Sequence, residues 1–103
     1  MNRQANCYSY DDIFLVPQYS EMSSRSSANT SVQLGDYNLS TPIISANMDT
    51  ITGSEMAIAM SNAGGIGSLH RFMSIRDNIE EYNIVVANDA NCFVSVGVND
   101  HSK

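Results

Sequence analysis

From Pro42 onward the apolar positions of this chain fall into a regular pattern. Pro42-Ile43-Ile44-Ser45-Ala46 is a short, nearly continuous apolar run, as expected of a strand buried on both faces. Thr52-Gly53-Ser54-Glu55 has the form of a capping box, with Thr52 as N-cap and Glu55 three residues on. Met56, Ala59, Met60 and Ala63 then recur at helical spacing. Gly64-Gly65 ends that helix, because glycine tolerates the left-handed conformation that follows a last turn. Ile66–Leu69 reads as a second strand. Ser74 and Asp77 repeat the cap signature, and Ile75, Ile79, Tyr82 and Val86 form one helical face. Residues 88–91 make a polar turn, and residues 92–98 (CFVSVGV) a third strand of the buried type.

Before Pro42 the pattern is weaker. Residues 8–17 (YSYDDIFLVP) form an apolar run ended by proline and predict an extended segment. Residues 18–29 are Ser-rich and read as a surface loop. Residues 30–34 alternate weakly, as a short strand would, and residues 35–41 (GDYNLST) read as a turn and approach. The predicted division is therefore 1–41, extended segments and a Ser-rich loop, and 42–103, strand-helix-strand-helix-strand. That order indicates a parallel sheet with crossover helices. A closed barrel of such units needs about 250 residues and eight strands. The sequence stops at Lys103, shortly after its third strand, which predicts either an open three-layer domain or a portion of a barrel.

Composition narrows the function classes. The 103 residues are 43% hydrophobic and 16% charged, with a formal net charge of −6. So acidic a surface repels phosphate backbones and excludes nucleic acid as the expected partner. A mononucleotide stays open, since backbone amides can hold one phosphate in an acidic protein. The first twelve residues lack an apolar core segment, and no apolar run approaches bilayer-spanning length. Cys7 and Cys92 are far apart and fit neither a disulfide framework nor a zinc site. The expectation is a cytoplasmic protein with no membrane partner.

In parallel α/β proteins, chemistry gathers where strands end and helices begin. Here those places are Asn47-Met48-Asp49-Thr50, His70-Arg71-Phe72 and Asn99-Asp100-His101. A methionine and a carboxylate could pack on and hydrogen-bond a planar ligand. Alternatively, Met48 fills the mouth of the fold and Asp49 supports the next helix, and on spacing alone this carries the greater weight. Gly64-Gly65-Ile66-Gly67 follows a helix and precedes a strand, the reverse of a phosphate cradle. His70 has no second ligand at metal spacing, so no metal is expected. Arg71 suits an anion contact or a surface cation, and the Ser23-Ser24-Arg25-Ser26 loop a phosphate or plain solvation.

YDDIFLVPQYSEMSSRS, PIISANMDTITGSEMAIAM and GGIGSLHRFMSI together resemble the N-terminal part of the IMP dehydrogenase/GMP reductase family, over roughly residues 10–98. The resemblance implies the N-terminal portion of a (β/α)8 TIM barrel, incomplete on its own, from an enzyme that is usually a tetramer. It implies a purine mononucleotide (GMP or IMP) and a nicotinamide cofactor, NADPH or NAD. By the same resemblance Ala46, Asn47, Met48 and Asp49 lie beside the purine nucleotide, with Met48 near the base. Ser24, Arg25 and Arg71 match residues that contact NADPH in GMP reductases, partly across a subunit boundary. Two cations suit the extra 2′-phosphate of that cofactor. The SRS loop, the SVGV strand and the lack of a regulatory insertion between Val86 and Cys92 favour the GMP reductase branch; MDTITGSEMAIAM and GGIG look closer to IMP dehydrogenase.

The family's catalytic cysteine belongs to a later glycine-rich loop that neither Cys7 nor Cys92 matches, so no catalytic residue is assigned. The expectation is an oxidoreductase portion completed by the C-terminal portion of a barrel, and inactive without it. A non-catalytic protein that pairs with a related host enzyme, a remnant, a piece of a longer enzyme, and a homo-oligomer joined through edge strands are the other readings.

Overall fold

The structure, a computed structural model, describes residues 5–98. The Asn99-Asp100-His101 group therefore lies outside the described residues. The elements run β1 (Val32–Leu34), β2 (Tyr37–Leu39), β3 (Ile44–Ser45), α1 (Ser54–Asn62), β4 (Ile66–Leu69), α2 (Ile75–Ala87) and β5 (Cys92–Val94), with single 3-10 turns at Tyr10–Asp12 and Arg25–Ser27. Strands β3, β4 and β5 form a parallel sheet in that order, with Ser45 opposite Gly67 and Gly67 opposite Cys92. The predicted three parallel strands with two crossover helices are present. No helix among the described residues is long and apolar enough to cross a membrane.

Burial singles out β4 as the central strand. Ile66, Gly67 and Leu69 are buried, whereas Ile44 and Val94 on the flanking strands remain about half exposed. The expectation of burial on both faces thus fails for the outer strands, which each have a neighbour on one side. The outer strands are also shorter than predicted: the first is confined to Ile44–Ser45 and the third ends at Val94.

One face of the sheet meets the helices through a core of Ala57, Leu69, Val85, Ala90 and Cys92. Alternation along β5 turns Phe93 to the other face, where Tyr37 meets it edge-on at 5.7 Å. Tyr37 belongs to an antiparallel hairpin of β1 and β2. Its two-residue turn has positive φ at Gly35, the pattern of a type II′ turn. Residues 37–39 are therefore a strand, where the sequence predicted only a turn and approach. The turn signal of Gly35-Asp36 masked a strand whose one buried residue is Leu39.

Both helices end in Schellman motifs. At α1, Gly65 N–H donates to Met60 O (2.9 Å) and Gly64 N–H to Ser61 O (3.1 Å), with Gly64 at φ 92°. At α2, Ala90 N–H donates to Val85 O and Asp89 N–H to Val86 O, with Asp89 in the left-handed position at φ 53°. Ser74 caps α2 as predicted, its hydroxyl accepting from Asp77 N–H at 3.1 Å.

The start of α1 differs from the prediction. Gly53 is the N-cap and offers no side chain, and Thr52 is fully buried with its hydroxyl committed to the end of β3. Glu81 on α2 takes over the capping role, its carboxylate accepting from Ser54 N–H at 2.6 Å. The predicted helical faces are also displaced. Ala57 is the buried residue of α1, while Met56, Ala59 and Ala63 are exposed; Val85 is the buried residue of α2, while Ile75, Ile79, Tyr82 and Val86 are exposed. Gly67 accounts for α1: a Cβ there would lie 2.8 Å from Ala57 Cα, so the helix rests backbone-close on β4 at that point.

Candidate functional site

The parallel strands bring three loops to one end of the sheet. After β3, residues 46–49 leave the strand and turn back, with the Ile51 and Thr52 amides both donating to Met48 O at 3.0 Å. This turn leaves Met48 half exposed and Asp49 exposed. After β4 come His70, Arg71 and Phe72. After β5 comes Ser95.

A polar seam joins these strand ends. Asn47 Nδ2 donates to Ser95 Oγ at 3.0 Å, and Ser95 Oγ lies 3.4 Å from Ser68 Oγ. Residues on three adjacent strands or their extensions are thus linked across the sheet. Ser68 and Ser95 fall within GGIGSLHRFMSI and SVGV, but the sequence gives neither of them a role of its own. Each is a small polar residue in an apolar run, Ser68 inside β4 and Ser95 one residue past β5.

Around Arg71 the arrangement is aromatic and cationic. The guanidinium lies 4.8 Å from the Phe72 ring centroid, a cation–π distance. His70 stacks on the same ring at 6.4 Å and 19°, and its Nδ1 accepts from Phe72 N–H at 3.2 Å. That bond makes Nδ1 an acceptor and puts the ring proton of neutral His70 on Nε2. Among the described residues the one ion pair is Arg76–Glu80, so the Arg71 charge is not taken up by a carboxylate. Arg71 also borders an open groove of about 460 Å³, together with Met73, Ile75, Ile79, Val94 and Ser95. The Arg71 guanidinium suits a phosphate group, and the apolar wall of the groove suits a planar ring beside it.

Ser24 and Arg25 lie elsewhere, in an exposed 3-10 turn. Ser24 Oγ is 2.8 Å from Ser26 Oγ and accepts from Ser26 N–H, and Ser27 Oγ donates to Ser24 O at 2.6 Å. All these bonds stay inside the turn. Ala46, Asn47, Met48, Asp49 and Arg71 thus share one end of the sheet, and Ser24 and Arg25 are not bonded to it. Both cysteines are free, Cys7 exposed and Cys92 buried in the core, where burial pushes its thiol pKa up. A raised pKa disfavours the thiolate, which suits Cys92 to packing.

A parallel sheet with crossover helices and polar loops at the carboxyl ends of its strands places the chain in the α/β class, which gathers its ligand sites at that end. Within that class the chain belongs to the IMP dehydrogenase / GMP reductase domain family, whose profile matches residues 7–96. It is 47% identical over 73 residues to an inosine-5′-monophosphate dehydrogenase of Nitrosopumilus maritimus (strain SCM1), an alignment covering 70% of this chain and 15% of that protein. It is 46% identical over 69 residues to a GMP reductase of Leishmania donovani, covering 66% and 14%. Among solved structures it resembles inosine 5′-monophosphate dehydrogenase from Legionella pneumophila, at 46% identity and TM-score 0.70, over 87% of this chain and 28% of that one. GMP reductase from Trypanosoma brucei in complex with guanosine 5′-triphosphate superposes at 45% identity and TM-score 0.63, over 70% and 17%. The chain thus spans about 15% of the length of the curated relatives it matches, and the two branches of the family match it about equally well.

Proposed function

We propose that residues 42–98 are the first β/α units of a (β/α)8 barrel in a purine-nucleotide oxidoreductase of the GMP reductase type. That enzyme reduces GMP with NADPH to IMP and releases ammonia. The family match over residues 7–96 supports the oxidoreductase reading, and the SRS loop, the SVGV strand and the short link from Val86 to Cys92 support the reductase branch. In this reading residues 46–49 bind the mononucleotide, with Met48 against the base and Asp49 as a hydrogen-bond acceptor. Arg71 meets a phosphate of the dinucleotide, and Ser24 and Arg25 meet the same cofactor from a neighbouring subunit, consistent with their exposure and purely local bonds. In this reading the nucleophilic cysteine and the main phosphate loops belong to later strands of the barrel, and neither Cys7 nor Cys92 takes that role.

An IMP dehydrogenase-type portion is the second reading. Its support is the match to the Legionella pneumophila enzyme, which covers more of this chain than the Trypanosoma brucei reductase does. Mixing the full chain with the C-terminal remainder of a family member, and offering GMP with NADPH or IMP with NAD, separates the two. GMP-dependent NADPH oxidation is the expected result. IMP-dependent NAD reduction alone would transfer the chain to the dehydrogenase branch, and a stably associated, folded pair with neither activity would overturn both.

A further inference from the structure

Thr52 is the fully buried polar residue among the described residues, and its bonds reach both loops of the candidate site. Its hydroxyl donates to Ala46 O at 2.5 Å and shares a hydrogen bond with Ser45 Oγ at 2.8 Å. Its amide donates to Met48 O at 3.0 Å, closing the turn that carries Met48 and Asp49. Its carbonyl accepts from His70 N–H at 3.4 Å, one residue before Arg71. Helix capping does not require the hydroxyl, because Gly53 is the N-cap and Glu81 supplies the acceptor. Space-filling does not require it either, since valine has nearly the same shape. A buried hydroxyl is tolerated only when its hydrogen bonds are made, so threonine here is tied to the conformation of residues 45–48.

We propose that Thr52 is a positioning residue that holds residues 46–49 in the shape that receives the mononucleotide. The inference rests on the purine-nucleotide reading of the strand ends. Pre-shaping a binding segment removes the ordering cost of binding, so its loss is read in affinity. The hydroxyl bonds reach the Ala46 side alone, whereas the link to His70 is through the backbone. Removing the hydroxyl therefore loosens the nucleotide segment and leaves the Arg71 side in place.

The test compares Thr52→Val and Thr52→Ser in the full chain assembled with the C-terminal remainder of a family reductase. Thr52→Val is expected to raise the KM for the nucleotide about tenfold, the net worth of one hydrogen bond. The KM for NADPH and kcat should change little, and Thr52→Ser should restore the nucleotide KM. If Thr52→Val does not assemble, Ser45→Ala carries the test, with a smaller rise in the nucleotide KM expected. A lowered thermal midpoint with the nucleotide KM unchanged would overturn the positioning role and leave the hydroxyl structural. Failure of the unsubstituted pair to turn over would instead overturn the oxidoreductase reading, and this role with it.

Discussion

At the scale of single residues, close approach and burial decide what each position tolerates. Gly67 lets α1 lie backbone-close on the central strand, and a Cβ there would sit 2.8 Å from Ala57 Cα and 3.1 Å from Ala57 Cβ. Both neighbours are held by backbone, so Gly67→Ala should destabilise the fold by about 1–3 kcal/mol, the range for overpacking. A shift of the urea midpoint measures it, and an unchanged midpoint would show that α1 can back away. Cys92 offers a prediction in pH. Burial raises its pKa, so the unfolded chain releases this proton at lower pH than the folded chain. Its contribution is complete below the ordinary thiol range and is lost as pH rises through the raised, folded value. Stability should therefore fall in mild alkali, and Cys92→Ala should flatten that part of the profile. In the folded chain, thiol reagents should reach Cys7 first.

The pattern of residues also explains what the sequence made legible. Ile66–Leu69 has the predicted bounds because a short apolar run between two glycine or polar punctuations leaves little freedom. Gly64 and Ser74 act as read, since a left-handed helix stop and a hydroxyl N-cap are local devices. Thr52 was misread because its hydroxyl satisfies the end of β3, a partner that sequence spacing cannot reveal. Among the site residues, the placement of Asn47, Met48, Asp49 and Arg71 at strand ends was legible. The Asn47–Ser95–Ser68 seam was not, because it joins residues on strand ends whose adjacency only the sheet creates.

At the scale of elements, the two helices are less independent than the sequence implies. α1 has no side-chain cap of its own, and the carboxylate of Glu81 on α2 meets Ser54 N–H across the helix pair. A negative group at a helix N-terminus also interacts favourably with the helix dipole. Glu81→Ala should cost about 1 kcal/mol, comparable to losing an N-cap. Glu81→Gln, which keeps an acceptor oxygen, should cost less. Equal losses in the two variants, measured by thermal unfolding, would mean that the charge and not the hydrogen bond joins the helices. The exposed faces at Met56, Ala59 and Ala63 and at Ile75, Ile79, Tyr82 and Val86 were legible as amphipathic stripes, but not as to what they cover. Helical periodicity reports that a face is apolar, and the partner against which it packs is a property of the assembled fold.

For the whole molecule, the accessible surface is the informative quantity. The chain exposes 8753 Å², whereas a folded monomer of 11.2 kDa is expected to expose about 5,700 Å². The excess includes the outer strand residues Ile44 and Val94, Ile43 just before β3, the outer helix faces and the extended segment around Phe14 and Leu15. In the proposed barrel, further strands and helices would cover this surface. The measurement that tests this most directly is a replacement: residues 7–96 put in place of the matching segment of a complete family reductase, with kcat/KM for GMP and NADPH as the readout. The account predicts an assembled enzyme within about an order of magnitude of its parent. A chimera that folds and assembles but neither binds nor reduces GMP would contradict it.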